Sequence, residues 1–185
     1  MTIPLIERHR RARHRRATGY WCVALAMYLS LALGTTLRPP EWIHYSALFI
    51  HLASVIVGLG AAVLLEVYGL FWARGRATLD DLRRIERGVT GLAWLGISGL
   101  LASGAFLEPN LADPLTDLKM LAVFVVATNG VAMTRLTGEL ARLPGSVAFG
   151  RLPQRFRVWC VWSASVSQIG WWTAVVIGML NTTSP

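Results

Sequence analysis

One histidine lies deep within an apolar segment, and this residue carries the strongest chemical signal in the sequence. His51 stands about two and a half helical turns after the start of segment 42–72. An ionisable side chain at such a depth is kept where it meets a polar partner or a cavity. Two interpretations follow: a neutral imidazole hydrogen-bonded to a serine or backbone carbonyl of a neighbouring helix, or a metal ligand. His44, two turns earlier on the same face, is either an interfacial histidine or the upper part of one polar track with His51.

Two cofactors are compatible with these histidines. Counted from the outer ends of their segments, Met27 and His51 have about the same depth. The geometry therefore allows the His51 imidazole and the Met27 thioether to bind Cu(I) together. A b-type haem is less favoured, because its two histidine ligands come from facing helices, whereas His44 and His51 lie on one helix about 10 Å apart along its axis. Haem would therefore require His with Met, or a dimer.

Other polar residues inside the apolar segments have structural and functional interpretations side by side. Lys119 is the only lysine, and its ammonium group either reaches the headgroups, Asp113 or Asp117, or lines the mouth of the histidine track together with Asp117. Glu66 is expected to pair with a loop arginine or to be protonated. Asn129 is expected to form hydrogen bonds between helices, as a support for the track.

Several kinds of chemistry are excluded by the spacing of the reactive residues. The sequence has no Gly-rich phosphate loop, no cysteine pair at zinc spacing, no nucleophile elbow and no histidine pair at metalloprotease spacing. We therefore expect that the protein is not an enzyme. Cys22 and Cys160 are expected to be free thiols, since both lie toward the reducing side of the predicted topology.

The elements that must position these residues are apolar helices. An apolar fraction of 54% with only 15% charged residues is typical of a membrane protein. A hydrocarbon core of about 30 Å needs about 20 helical residues, and open strands cannot satisfy their backbone groups in lipid. The sequence predicts an all-α bundle of five transmembrane helices, residues 18–185, after a basic cytoplasmic tail, residues 1–17. The predicted spans are 18–37, 42–72, 88–107, 115–135 and 158–180.

The basic residues predict the orientation. All but Arg38 and Lys119 fall in the three stretches 8–16, 74–87 and 135–157, which alternate with the apolar segments. Because arginine near span ends is retained in the cytoplasm, the amino terminus is expected inside and the carboxyl terminus outside a bacterial inner membrane. Anionic lipid headgroups at these arginines account for the net charge of +8, so nucleic acid is not an expected partner.

Small residues at helical spacing predict the packing faces of the bundle. Such residues let helix backbones approach closely, and an unoccupied face is suited to a homo-oligomer or a larger membrane complex, in which the chain is a non-catalytic subunit or assembly factor. Trp72, next to a basic stretch, is expected at the headgroup level. The predicted faces are Gly58, Ala62 and Gly69 with His51; Gly96, Gly99 and Ser103; and Gly170, Ala174 and Gly178.

The order of features between His44 and Arg135 resembles the copper-resistance CopD-like membrane proteins. These features are a span that opens with a histidine followed by glycines, a basic inner loop, a glycine-bearing span, and a span that opens with Leu and Lys. Their residues here are His51, Gly58 and Gly60; Gly91, Gly96, Gly99 and Gly104; and Leu118 and Lys119. The resemblance implies a membrane protein that handles or transports copper or a related metal at its external face, with His51 as the residue that carries over.

Overall fold

The predicted apolar segments fold as α-helices. The computed structural model describes the backbone of residues 5–183 and the side chains of residues 13–180. Over this part of the chain the architecture is all-α, as predicted. The helices are α1 (Leu5–Thr36), α2 (Glu41–Ala73), α3 (Leu79–Gly104), α4 (Pro114–Leu140) and α5 (Gln154–Thr183), and a short 3-10 turn spans Phe149–Arg151.

Helix α1 includes most of the predicted basic tail. It begins at Leu5 and continues without a break through the arginines into the apolar segment. Residues 1–4 lie outside the described part of the chain, as do the side chains of residues 5–12, which include Arg8, His9, Arg10 and Arg11. The tail and the first apolar segment therefore form one continuous helix from Leu5 onward.

Side chains cap the starts of α3 and α4. At α4, the carboxylate of Asp113 accepts a hydrogen bond of 3.0 Å from the backbone N–H of Leu115, and Pro114 is the first helical residue. At α3, Thr78 and Asp81 form a reciprocal capping box, in which each side chain accepts a hydrogen bond from the other residue's backbone N–H. These bonds satisfy donors that the first helical turn leaves without partners.

Four of the helices, not five, are long and apolar enough to cross a membrane by their own composition. They are α1 from Arg13 onward, α2, α4 and α5. Helix α3 falls short because its first turns carry six charged residues, Asp80, Asp81, Arg83, Arg84, Glu86 and Arg87. Its remaining part is rich in glycine and serine, and Gly96, Ile97 and Ser103 are buried within the bundle. A helix that contacts mainly protein needs less apolar surface than one that contacts lipid.

Large apolar side chains cover the outer face of α2. Trp42, Phe49 and Ile56, spaced seven residues apart, are 70%, 75% and 73% exposed. Soluble proteins rarely expose a continuous apolar surface of this kind. This face is suited to contact with lipid, and it is turned away from the face that carries His51.

The centre of the bundle is a direct backbone contact between α2 and α3. A Cβ atom added at Gly96 would lie 2.5 Å from Cα of Gly58 and 2.8 Å from the carbonyl oxygen of Ser54. A Cβ atom added at Gly58 would lie 2.5 Å from the ring of Trp171, which α5 contributes. The predicted close approach at Gly58 and Gly96 is therefore confirmed, and only glycine fits at this three-helix contact.

The small-residue faces are shorter than predicted. Gly170 packs against Val126 of α4, where an added Cβ atom would lie 2.5 Å from a methyl group. An added Cβ atom would meet no atom within 4 Å at Gly69 or Gly178. The predicted packing is wrong at these two positions, because helices that cross at an angle diverge away from the point of contact.

The helices alternate in direction, which brings the three arginine stretches to one end of the bundle. Gly19 of α1 contacts Val131 of α4, and farther along α1 the hydroxyl of Ser30 donates a hydrogen bond of 2.7 Å to the Leu101 carbonyl of α3. Contacts of this kind place the start of α1 beside the start of α3 and the end of α4. We call the end that holds Arg15, Arg16 and the stretches 74–87 and 135–157 the arginine end.

A second apolar cluster closes the arginine end. Trp72 is only 3% exposed, and its indole N–H donates a hydrogen bond of 2.9 Å to the Val147 carbonyl. The loop between α4 and α5 therefore covers Trp72, and its position at the headgroup level stays a prediction. Arg83 fixes this loop by donating to the carbonyl groups of Leu140 and Leu143.

Candidate functional site

The imidazole of His51 is held by a serine of the neighbouring helix. Nδ1 of His51 lies 3.0 Å from Oγ of Ser103, which is buried. The Ser103 hydroxyl lies 2.6 Å from the carbonyl oxygen of Gly99, four residues earlier in α3, and the Leu100 carbonyl is also within hydrogen-bonding reach of the ring. The partner is the kind that the structural interpretation predicts, a serine and a carbonyl group on an adjacent helix.

These contacts favour one tautomer of the ring. The Ser103 hydroxyl has one hydrogen, which its short contact with the Gly99 carbonyl requires it to donate there. Oγ of Ser103 must then accept, so Nδ1 of His51 carries the proton and donates it. Nε2 consequently keeps its lone pair and is the ring atom able to accept a hydrogen bond or ligate a metal.

Lys119 brings a positive charge to the same region. Its half-buried side chain is near enough to act electrostatically on the His51 imidazole and is itself influenced by Asp113, the N-cap of α4. Asp117 is exposed on the first turn of α4. Both interpretations of Lys119 stay predictions, since electrostatic influence links its ammonium group to Asp113 and to His51.

The two remaining predicted metal ligands have different surroundings. His44 is partly exposed near the start of α2 and contacts the ring of Tyr45 edge to face. Met27 is 7% exposed and belongs to the apolar core cluster that also contains Leu100 of α3. The common depth of Met27 and His51, and their pairing as ligands, stay predictions.

Glu66 lies against α5 rather than against a loop arginine. Its carboxyl group is within hydrogen-bonding reach of the Gln168 and Ser167 side chains. No described arginine forms an ion pair with it. Gln168 also accepts a hydrogen bond of 2.8 Å from the indole N–H of Trp172. Glu66 is therefore part of a polar contact between α2 and α5.

Asn129 joins α4 to α5 through a pair of hydrogen bonds. Its amide donates to the Ser163 carbonyl at 2.9 Å, and its carbonyl accepts from the Ser163 hydroxyl at 2.8 Å. Ser163 is only 2% exposed. Both polar groups of the asparagine amide are thus used between helices, as predicted, and Asn129 supports the bundle without reaching the histidine.

The structure also shows what sequence reasoning missed at this site. Ser103 was predicted only as a small packing residue, although it is the direct partner of His51. The two roles are compatible, because its spacing from Gly96 and Gly99 places it on the face that meets α2. A buried serine on a glycine face opposite a buried histidine is the signal that would have identified the pair.

Within the described residues, no group of three or more His, Cys, Asp or Glu side chains is arranged to hold a metal ion. Comparisons with protein-family models, curated proteins and solved structures found no match.

Proposed function

We propose that the chain is a multi-pass protein of a bacterial inner membrane, with the arginine end in the cytoplasm and the carboxyl terminus outside. The collection of nearly all basic side chains at one end supports this orientation. Helix α3 is counted as a fifth crossing because Gly96 and Ser103 contact α2 at Gly58 and His51, in the middle of a helix able to span the membrane.

We further propose that the protein handles copper, as Cu(I), at His51 in the outer half of the bundle. The observation that carries the proposal is the hydrogen bond between Nδ1 of His51 and Oγ of Ser103, which leaves Nε2 as the ring atom with a lone pair for a metal. A hydrogen bond at the other ring nitrogen is the usual support for a metal-binding histidine.

The surrounding residues favour Cu(I) over other metals. Cu(I) accepts soft, neutral donors such as imidazole nitrogen and thioether sulfur. Zn²⁺ takes three or four protein ligands, and Ca²⁺ takes six to eight oxygen ligands. Met27, buried in the cluster that contains Leu100, is the candidate second ligand. The nearby charge of Lys119 opposes a divalent ion more strongly than a monovalent one.

The packing below His51 favours binding over passage through the bundle. Gly58 lies two turns deeper on the same face, about 10 Å along the helix, where its backbone touches Gly96 and its open side is filled by Trp171. A path to the arginine end would require this three-helix contact to open.

Metal analysis of the purified protein tests the proposal. Cu(I) supplied under reducing conditions should bind at a fixed molar ratio to the protein chain, and His51→Ala should abolish this binding. His14→Ala, an exposed histidine at the arginine end, is the matched control and should bind like the unmodified protein. Equal copper content in the His51→Ala protein and the control would contradict the proposal.

A second candidate function is a non-catalytic subunit or assembly factor of a larger membrane complex. The pairing of Asn129 with Ser163 and of Glu66 with Gln168 favours it, because these mid-helix polar groups are used to hold the bundle together. This function predicts co-purifying membrane proteins and no bound metal. An absorption spectrum of the same sample tests the haem hypothesis, which requires a Soret band.

A further inference from the structure

A cavity at the arginine end lies between α1, α3 and α4, away from His51. Its volume is about 600 Å³, within the range of sites that bind small molecules. Its walls are mainly apolar, and Arg15 and Arg16 are among the residues that line it. It is also lined by Cys22, Ala26, Trp94 and Ser98.

The cavity exists because α1 touches its neighbours at only a few points. Gly19 contacts Val131 of α4, where an added Cβ atom would lie 3.0 Å from a methyl group. Deeper in the bundle, Ser30 donates a hydrogen bond to the Leu101 carbonyl, and Gly34 meets Pro109. Between these points α1 stands away from α3, and Cys22 and Ser98 are exposed there.

The charge distribution of the cavity defines the chemistry of an occupant. Two arginines in the lining call for an anion, and guanidinium groups bind phosphate oxygens in a bidentate geometry. No described carboxylate forms an ion pair with Arg15 or Arg16. The apolar walls call for a hydrocarbon chain, so the occupant must be amphiphilic.

The dimensions of the cavity match one leaflet of a bilayer. From Arg16 to Ala26 the axis of α1 advances about 15 Å, which is half of the hydrocarbon thickness of about 30 Å. A headgroup at Arg15 and Arg16 would therefore have its acyl chain beside Cys22 and Ala26. We propose that this cavity binds one anionic phospholipid of the cytoplasmic leaflet. The proposal rests on the membrane orientation given above and is independent of copper at His51.

Binding of defined lipids to the purified protein tests this site. Native mass spectrometry with phosphatidylglycerol or phosphatidylcholine should show one tightly held phosphatidylglycerol per chain. Arg15→Gln with Arg16→Gln should weaken it about 30-fold, as expected for the loss of two arginines at a membrane surface. Arg74→Gln with Arg76→Gln, two exposed arginines at the same end, is the matched control and should retain the lipid.

The cysteine in the cavity provides a second measurement that leaves the arginines intact. In a Cys160→Ser background, alkylation of Cys22 by a maleimide should be several-fold slower in phosphatidylglycerol nanodiscs than in phosphatidylcholine nanodiscs. Ser98→Trp, which fills the cavity, should reduce lipid retention by about tenfold and remove this lipid dependence. The proposal would be overturned if the two double-arginine variants lost bound phosphatidylglycerol equally, or if Cys22 were alkylated at the same rate in both kinds of nanodisc. Failure of copper binding at His51 would leave these results unchanged.

Discussion

The hydrogen bond between His51 and Ser103 gives the imidazole a defined chemical state. Because the Ser103 hydroxyl is committed to the Gly99 carbonyl, the proton of the ring is held at Nδ1. The same bond fixes the plane of the ring and hence the direction of the Nε2 lone pair. At the scale of single residues, this pair separates a histidine that can act as a ligand from one that is merely buried.

Removal of the Ser103 hydroxyl should weaken the binding of a metal at His51 without removing the ligand itself. Ser103→Ala leaves Nδ1 of His51 without its hydrogen-bond partner. Loss of a hydrogen bond that orients a metal-binding histidine reduces metal affinity by about 10- to 100-fold. The measurement is a Cu(I) competition titration with a chromophoric chelator. Ser98→Ala, an exposed serine on the same helix, should bind as tightly as the unmodified protein. An unchanged affinity in Ser103→Ala would show that the serine does not support a metal ligand.

At the scale of helices, the capping box makes the start of α3 sensitive to pH. Hydrogen bonds from the hydroxyl and backbone N–H of Thr78 lower the pKa of Asp81 from its ordinary value of 3.8. A carboxyl group whose pKa is lower in the folded state stabilises the fold above its unfolded-state pKa, and this contribution is lost as the pH falls through the folded-state pKa.

Asp81→Asn should therefore lower the unfolding temperature at pH 7 but have a decreasing effect below about pH 4. Thermal unfolding in detergent, followed by circular dichroism between pH 7 and pH 3, measures the difference. Asp117→Asn, an exposed acidic residue in the first turn of α4, is the comparison variant. If the loss of unfolding temperature caused by Asp81→Asn grew as the pH fell, the lowered pKa of Asp81 would be contradicted.

The contact between α2 and α3 depends on one glycine more than on its neighbours. Gly96→Ala places a methyl group against the backbone of Gly58 and Ser54, so the helices must separate, and overpacking of this kind costs about 1–3 kcal/mol. Gly91→Ala, on the same helix with no atom within 4 Å of the added methyl group, should be neutral or stabilising. Denaturant unfolding of the two variants in parallel measures the contrast, and equal stabilities would exclude the proposed packing.

The elements of this fold are predictable from the sequence to different degrees. Apolar run length, Pro39 with Pro40, and the Asp113–Pro114 pair define the helices and several of their ends, because those signals act within one segment. Trp72 is different. Its burial depends on the loop that contains Val147, which is distant in the sequence and has no periodic pattern to predict its path.

The candidate site follows the same rule. The depth of His51 predicts a polar partner, and the glycine spacing of α3 predicts the face that meets it, but the choice of Ser103 requires the register between the two helices. Glu66 was expected to pair with a loop arginine or to be protonated. It lies beside Gln168 and Ser167, because the crossing of α2 and α5 decides which side chains meet. The cavity at Arg15 arises from gaps between helices, for which the sequence has no signal.

For the whole molecule, the placement of the His51 site and the Arg15 cavity on opposite sides of the membrane depends on the number of membrane crossings. By composition alone the described helices include four that could span a membrane, and α3 is not among them. The contacts of Gly96 with Gly58 and of Ser103 with His51 place α3 alongside α2 over most of its apolar length. We propose that a helix in that position crosses the bilayer with its neighbour, which gives five crossings and places the termini on opposite sides.

A paired reporter fused after Pro185 measures this directly. Five crossings with the arginine end in the cytoplasm predict a cytoplasmic amino terminus. At the carboxyl terminus they predict that fused alkaline phosphatase is active and that fused green fluorescent protein does not fluoresce. The opposite pattern, a fluorescent and phosphatase-inactive fusion with the amino terminus also in the cytoplasm, would mean four crossings. That result would contradict the membrane placement on which both the outer site at His51 and the inner lipid site at Arg15 and Arg16 depend.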